Sequence, residues 1–231
     1  MRLLDVKGVA SLAIGGALSF LLQTFALGAN MQRRLGRINE LLTEYYDARP
    51  RSNRIPPIRQ SNLKSDGWWD LHGPCFKAAN VRCAVPAFLQ ICRRFLVSES
   101  AEETTAIKIL ESLVAMYDVF YQEPMFVPGA ACRRLSAATL AFGLEFQRAR
   151  QQARRREVLA YNITPKVHKT QHLPLMASAL NPSFVQNYDE ESQMGTTGRV
   201  WKKSMSGRFQ KHVQKLVLVK RTTALPVRLE L

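Results

Sequence analysis

The sequence predicts a mostly α protein, a multi-helix domain led by a long apolar N-terminal helix. Three observations carry that prediction. Apolar residues recur at helical spacing along most of the chain, alternating strand patterns are scarce, and prolines and capping residues punctuate the periodic stretches. With 231 residues and 46% hydrophobic content, the chain is long enough and apolar enough to bury a core.

From Gly8 to Gln32 the chain reads GVASLAIGGALSFLLQTFALGANMQ, without one ionisable residue. Such a run is long enough to span a bilayer. Ser11, Gly15, Ser19 and Gln23 recur every four residues and form one small or weakly polar stripe. In lipid the stripe is a helix-packing face; in water it is the less buried side of a core helix. Three readings stay open here. The run is a buried helix, a membrane anchor whose C-terminal end Arg33, Arg34 and Arg37 hold in the cytoplasm, or a signal peptide, against which Asp5 stands. The apolar pattern continues through Leu35, Ile38, Leu41, Leu42 and Tyr45, so a largely continuous helix over 8–46 is expected. Pro50 ends it. Residues 1–49 are therefore one segment, 50–62 a proline-bearing linker, and 63–231 a second, helical domain with a basic tail.

That domain opens with SDGWWDLHGPC, which sets two tryptophans, two acids (Asp66 and Asp70), a histidine and a cysteine among turn residues. Helical signal resumes at Phe76 and runs to about Val97, with a kink expected at Pro86. Ser100 caps the next helix, and Glu103 stands where a capping box places it. Ile107, Leu110, Val114, Tyr117 and Phe120 turn inward from there. QEPMFVPG breaks the pattern. A long helix over about 130–158 follows, with Leu135, Ala138, Phe142 and Phe146 on its apolar face and RARQQARRR at its end. Thr164 and Pro165 read as N-cap and first residue of a short helix that Pro174 stops near Leu173. Further helices are expected from about Asp189 and over about 208–224.

Charge narrows the function. The net charge is +15 at pH 7, and from Arg148 to Leu231 there are 16 Lys and Arg against 5 Asp and Glu. A field of that sign favours polyanions, nucleic acid before an anionic membrane surface. In RVWKKSMSGRFQKHVQK, residues Arg199, Lys202, Lys203, Arg208, Lys211 and Lys215 surround Trp201 and Phe209. Basic residues interleaved with aromatics suit a phosphate backbone and an unstacked base. No phosphate-binding glycine loop, dinucleotide fingerprint or serine-hydrolase elbow occurs, so the sequence offers no support for those enzyme classes. The four cysteines, Cys75, Cys83, Cys92 and Cys132, include no C-x-x-C pair and indicate a reducing compartment.

Two sets of residues are candidates for metal chemistry; for the histidines the alternative is that His172 caps or packs and His168 is exposed next to Lys166 and Lys169. His168 and His172, four apart on one helix face, and the turn pair His72 and Cys75 together supply four nitrogen and sulfur ligands of the kind zinc accepts. Asp189, Glu190 and Glu191 form an acidic triplet in a basic region. At a helix start they either offset the dipole or supply one carboxylate of a two-metal site.

The order LKSDGWWDLHGPC, a helical stretch over 76–158, PKVHKTQHLP and NPSFVQNYDEES resembles the C-terminal part of RNase H-like transposases of eukaryotic DNA transposons, the CACTA-type and KDZ-type groups. The resemblance covers about two-thirds of the chain. It implies a nuclear, DNA-binding mobile-element protein, with DNA favoured over RNA, and a catalytic role for Glu190 or Glu191 on magnesium. Two departures qualify it. The family's first two catalytic aspartates would lie upstream, and Ser192 follows Glu191 where the family has an arginine or an aromatic. The chain is accordingly expected to be a transposase-like fragment without a complete catalytic site. The alternatives are a single-pass protein anchored through residues 8–32 with a basic cytoplasmic domain, and a structural helical domain.

Overall fold

The computed structural model describes residues 8–49, 53–76, 78–96, 100–179 and 181–182, all within one compact unit, residues 1–185. Its helices are α1 (Val9–Leu21), α2 (Met31–Asp47), α3 (Ala78–Phe95), α4 (Ala101–Gln122), α5 (Gly129–Arg155), α6 (Pro165–Lys169) and α7 (Leu173–Ala179), and one hairpin pairs β1 (Lys64–Ser65) with β2 (Trp68–Trp69). The mostly helical character holds; the long N-terminal helix does not.

The apolar run divides. α1 spans 13 residues, about 20 Å at the helical rise, against a hydrocarbon core of about 30 Å. Among the described residues no helix is long and apolar enough to cross a membrane. Three residue choices make the break. Gly28 adopts φ +145° after a 3-10 turn over Phe25–Leu27. Asn30 caps α2, its side-chain oxygen accepting from the Arg33 amide at 2.9 Å. Arg34 then reaches back and donates to the carbonyls of Leu22 at 2.5 Å and Gly28 at 2.7 Å, so a cation closes the C-terminal end of α1.

α1 packs against α3 and α4 and against the hairpin, and every residue of it except Phe20 is buried. Of the small-residue stripe, Ser11, Gly15 and Ser19 are buried, against the aqueous expectation, and Gln23 is exposed. Leu71 donates its amide to the Ser11 carbonyl at 3.2 Å, and a Cβ at Gly15 would stand 2.6 Å from the Asp70 backbone. A Cβ at Gly16 would collide with the ring of Tyr161, which is itself packed edge-on against Phe146. The Gly15-Gly16 pair thus admits a backbone and an aromatic ring to one short helix.

The other helices follow their periodicity. α2 buries Leu35, Ile38, Leu41 and Leu42 and is otherwise polar, and Tyr46 is more deeply buried than Tyr45. α3 passes through Pro86 as one element. Ser100 caps α4 by accepting from the Glu103 amide. Of the expected face α4 buries Leu110, Tyr117 and Phe120 and leaves Ile107 and Val114 half-buried; it adds Ile109, Leu113 and Met116, because α1, α3 and α5 all pack on it. α5 buries Leu135, Ala138, Phe142 and Phe146 as expected. Pro165 is the first residue of α6, but Pro174 lies inside the first turn of α7 and does not stop a helix. A proline there sacrifices only an amide that has no helical acceptor. The helices expected near Asp189 and over 208–224 lie outside the described residues.

Candidate nucleic-acid interface

The hairpin lies between α2 and α3, and its geometry is local. Asp66 and Gly67 both take positive φ, 52° and 81°, and Ser65 pairs with Trp68 across a two-residue turn. Asp-Gly is the dipeptide that such a turn favours. Backbone bonds clamp the strap on three sides: Trp69 donates to Leu159 at 2.8 Å, Asp70 to Leu63 at 3.1 Å, and Leu71 to Ser11. Asn62 and His72 close its base, the His72 amide donating to the Asn62 carbonyl and the Asn62 side chain to the His72 carbonyl.

Successive residues of a strand face opposite ways, and the two tryptophans accordingly part. Trp69 packs on the core, with the Lys64 ammonium 4.9 Å from its ring centroid. Trp68 lies outside that core cluster, and the Arg150 guanidinium stands 4.2 Å from its ring centroid. Arg150 also donates to the Ala160 carbonyl. In the run that ends α5, Arg148 pairs with Glu145 and Arg156 with Glu102. Arg150, Arg154 and Arg155 have no ion-pair partner among the described residues. The Arg150 pKa is lowered, first by burial and then by the charge of Arg154. A like-charged cluster of this kind is relieved by an incoming anion.

Burial raises the Asp70 carboxyl pKa above the ordinary value, against the influence of Ser11, His72 and Lys166. Its buried Oδ1 has no hydrogen-bond partner among the described residues. His168 and His172 stand together, ring centroids 5.1 Å apart, as their spacing predicts, and both are exposed. His72 keeps a buried Nε2 with no partner, and Cys75 is exposed. Among the described residues no group of three or more His, Cys, Asp or Glu side chains is gathered as a metal site. All four cysteines are free. Glu190, Glu191, Arg199, Trp201, Lys202, Lys203, Arg208, Lys211 and Lys215 lie outside the described residues.

Lys64, Trp68, Arg150, Arg154 and Arg155 are the surface residues that reading the sequence alone did not single out. Their signals were present: an Asp-Gly turn between strand-like pairs, and an arginine run with few acids in it. Comparison with protein-family models, with curated proteins and with solved structures finds no match.

Proposed function

We propose that this chain is a nucleic-acid-binding helical protein of transposase-like descent, acting on DNA in preference to RNA, that does not by itself complete a strand-transfer site. The observation that carries the reading is the Trp68–Arg150 stack on a chain of net charge +15, with Arg154 and Arg155 on the same helix and without an ion-pair partner among the described residues. Cations without carboxylate partners supply phosphate contacts, and an aromatic ring under a guanidinium supplies a stacking platform. The basic run over 199–215 extends the same chemistry along the sequence. Catalysis would need Glu190 or Glu191 to meet two further aspartates on magnesium, and binding does not depend on that. A mobility shift with the full chain tests the reading. Duplex and single-stranded DNA should both shift at low salt, and charge reversal at Arg150, Arg154 and Arg155, or at Lys202, Lys203 and Arg208, should weaken every sequence alike. Absence of any shift at low salt refutes it.

A further inference from the structure

The end of α1 and the turn after it, the ends of α3 and α5 and the start of α4 frame a cavity of about 390 Å³, within the range of roughly 300–1,000 Å³ usual for small-ligand sites. Three phenylalanines, Phe20, Phe25 and Phe95, line it, together with Gln23, Glu102 and Arg156. Phe25 is 82% exposed, which is unusual for a phenylalanine in a structured turn. It is nonetheless held, because the Arg34 guanidinium that closes α1 stands 4.9 Å from its ring centroid. Arg156 lies 5.1 Å from the centroid of Phe20 and is fixed by Glu102 at 2.6 Å and by the Gln23 side-chain oxygen at 3.1 Å. The cavity therefore offers flat apolar and cationic faces with acceptors at their edge. Arg156 occupies one oxygen of Glu102, and the other has no partner among the described residues.

We propose that this cavity receives a single unstacked nucleobase carrying an exocyclic amino group, cytosine being the simplest case. The ring would stack among the phenylalanines and the Arg156 plane, and the amino group would donate to the Glu102 carboxylate, the pairing that carboxylates make with cytosine N4. Arg154 and Arg155 adjoin Arg156 in the chain and supply cations for the flanking phosphates. This inference rests on the nucleic-acid reading above and adds a base preference to it, so the two can fail separately.

The test is a titration of the full chain with fluorescein-labelled oligo(dC) and oligo(dT) of equal length. The wild type should prefer oligo(dC). Phe25→Ala removes a ring that is almost wholly exposed, so the fold should survive, as circular dichroism can verify. It should weaken oligo(dC) binding by roughly 5- to 100-fold, the range for one lost base stack. Phe25→Trp should retain the affinity, and Glu102→Gln should abolish the preference for oligo(dC) over oligo(dT). Equal binding of both oligonucleotides by the wild type, unchanged in Phe25→Ala, overturns the base site and leaves the phosphate-binding surface standing. Binding of neither oligonucleotide overturns both.

Discussion

α1 and α2 are consecutive in sequence and opposite in construction. α1 is apolar or small on every face and buried everywhere but at Phe20, and its fit depends on two glycines that let other parts of the chain approach it closely. α2 is amphipathic, buries one stripe, and carries an exposed glycine, Gly36, with nothing within 4 Å of where a Cβ would stand. The same residue type is thus a packing requirement in one helix and a dispensable weakness in the next. An apolar run that is uniform around the helix reports burial but not what buries it, whether lipid or other helices. A periodic run reports both the helix and its single inward face.

The comparison breaks most visibly at those glycines. Gly16→Ala should destabilise the fold by roughly 2–3 kcal/mol, since overpacking a close-fitted core costs more than the helix propensity gained. Gly15→Ala should act similarly, because the atoms it meets are backbone. Gly36→Ala should instead stabilise by up to about 1 kcal/mol, the propensity difference alone. Urea denaturation of the three variants checks both signs, and a stabilising Gly16→Ala would mean that Tyr161 does not rest on α1.

A second effect concerns the break between the helices. Asn30→Ala removes the α2 cap and should cost about 1 kcal/mol. An unchanged midpoint in the same denaturation experiment would show that α1 runs on into α2 after all.

The smallest effect is at Asp70, on the strap that Gly15 admits. Its carboxyl pKa is raised, mainly by burial. A raised folded value means that the group favours the folded state fully only below its unfolded pKa of about 3.8, and that this contribution is lost as pH rises through the folded value. Asp70→Asn should therefore be more stable than the wild type at neutral pH, with the difference vanishing in strong acid. Thermal melts across that range measure it, and a variant less stable at neutral pH would show that Lys166 and His72 outweigh the burial.

Much of the helical frame was legible in the sequence. Ser100, the inward residues of α5, three of the five named on α4, and Pro165 fell where periodicity and capping place them, because these signals are local. The division of the N-terminal run was legible only in part. Gly28 and Asn30 are ordinary stop and start residues, but an apolar pattern without proline masked them, and the back-reaching Arg34 is a long-range contact that no spacing records. Pro174 misled because a proline opens a helix as readily as it ends one. The two metal-ligand pairs had suitable composition, yet whether they converge depends on how the strap and α6 are held, which spacing does not record. Trp68 and Arg150 lie more than eighty positions apart in sequence, so neither the hairpin signal nor the arginine run could by itself reveal their stack.

The charge excess and the Trp68–Arg150 surface make one quantitative claim, that this protein holds nucleic acid by neutralising phosphates. The slope of log K against log salt for the full chain on single-stranded DNA tests it most directly. Each phosphate contact contributes roughly −0.7 to that slope, so several contacts should cost tenfold or more in affinity between low and physiological salt. Charge reversal at Arg150, Arg154 and Arg155 should flatten the slope as well as lower the affinity. A slope near zero, or one that these substitutions leave unchanged, would contradict the claim.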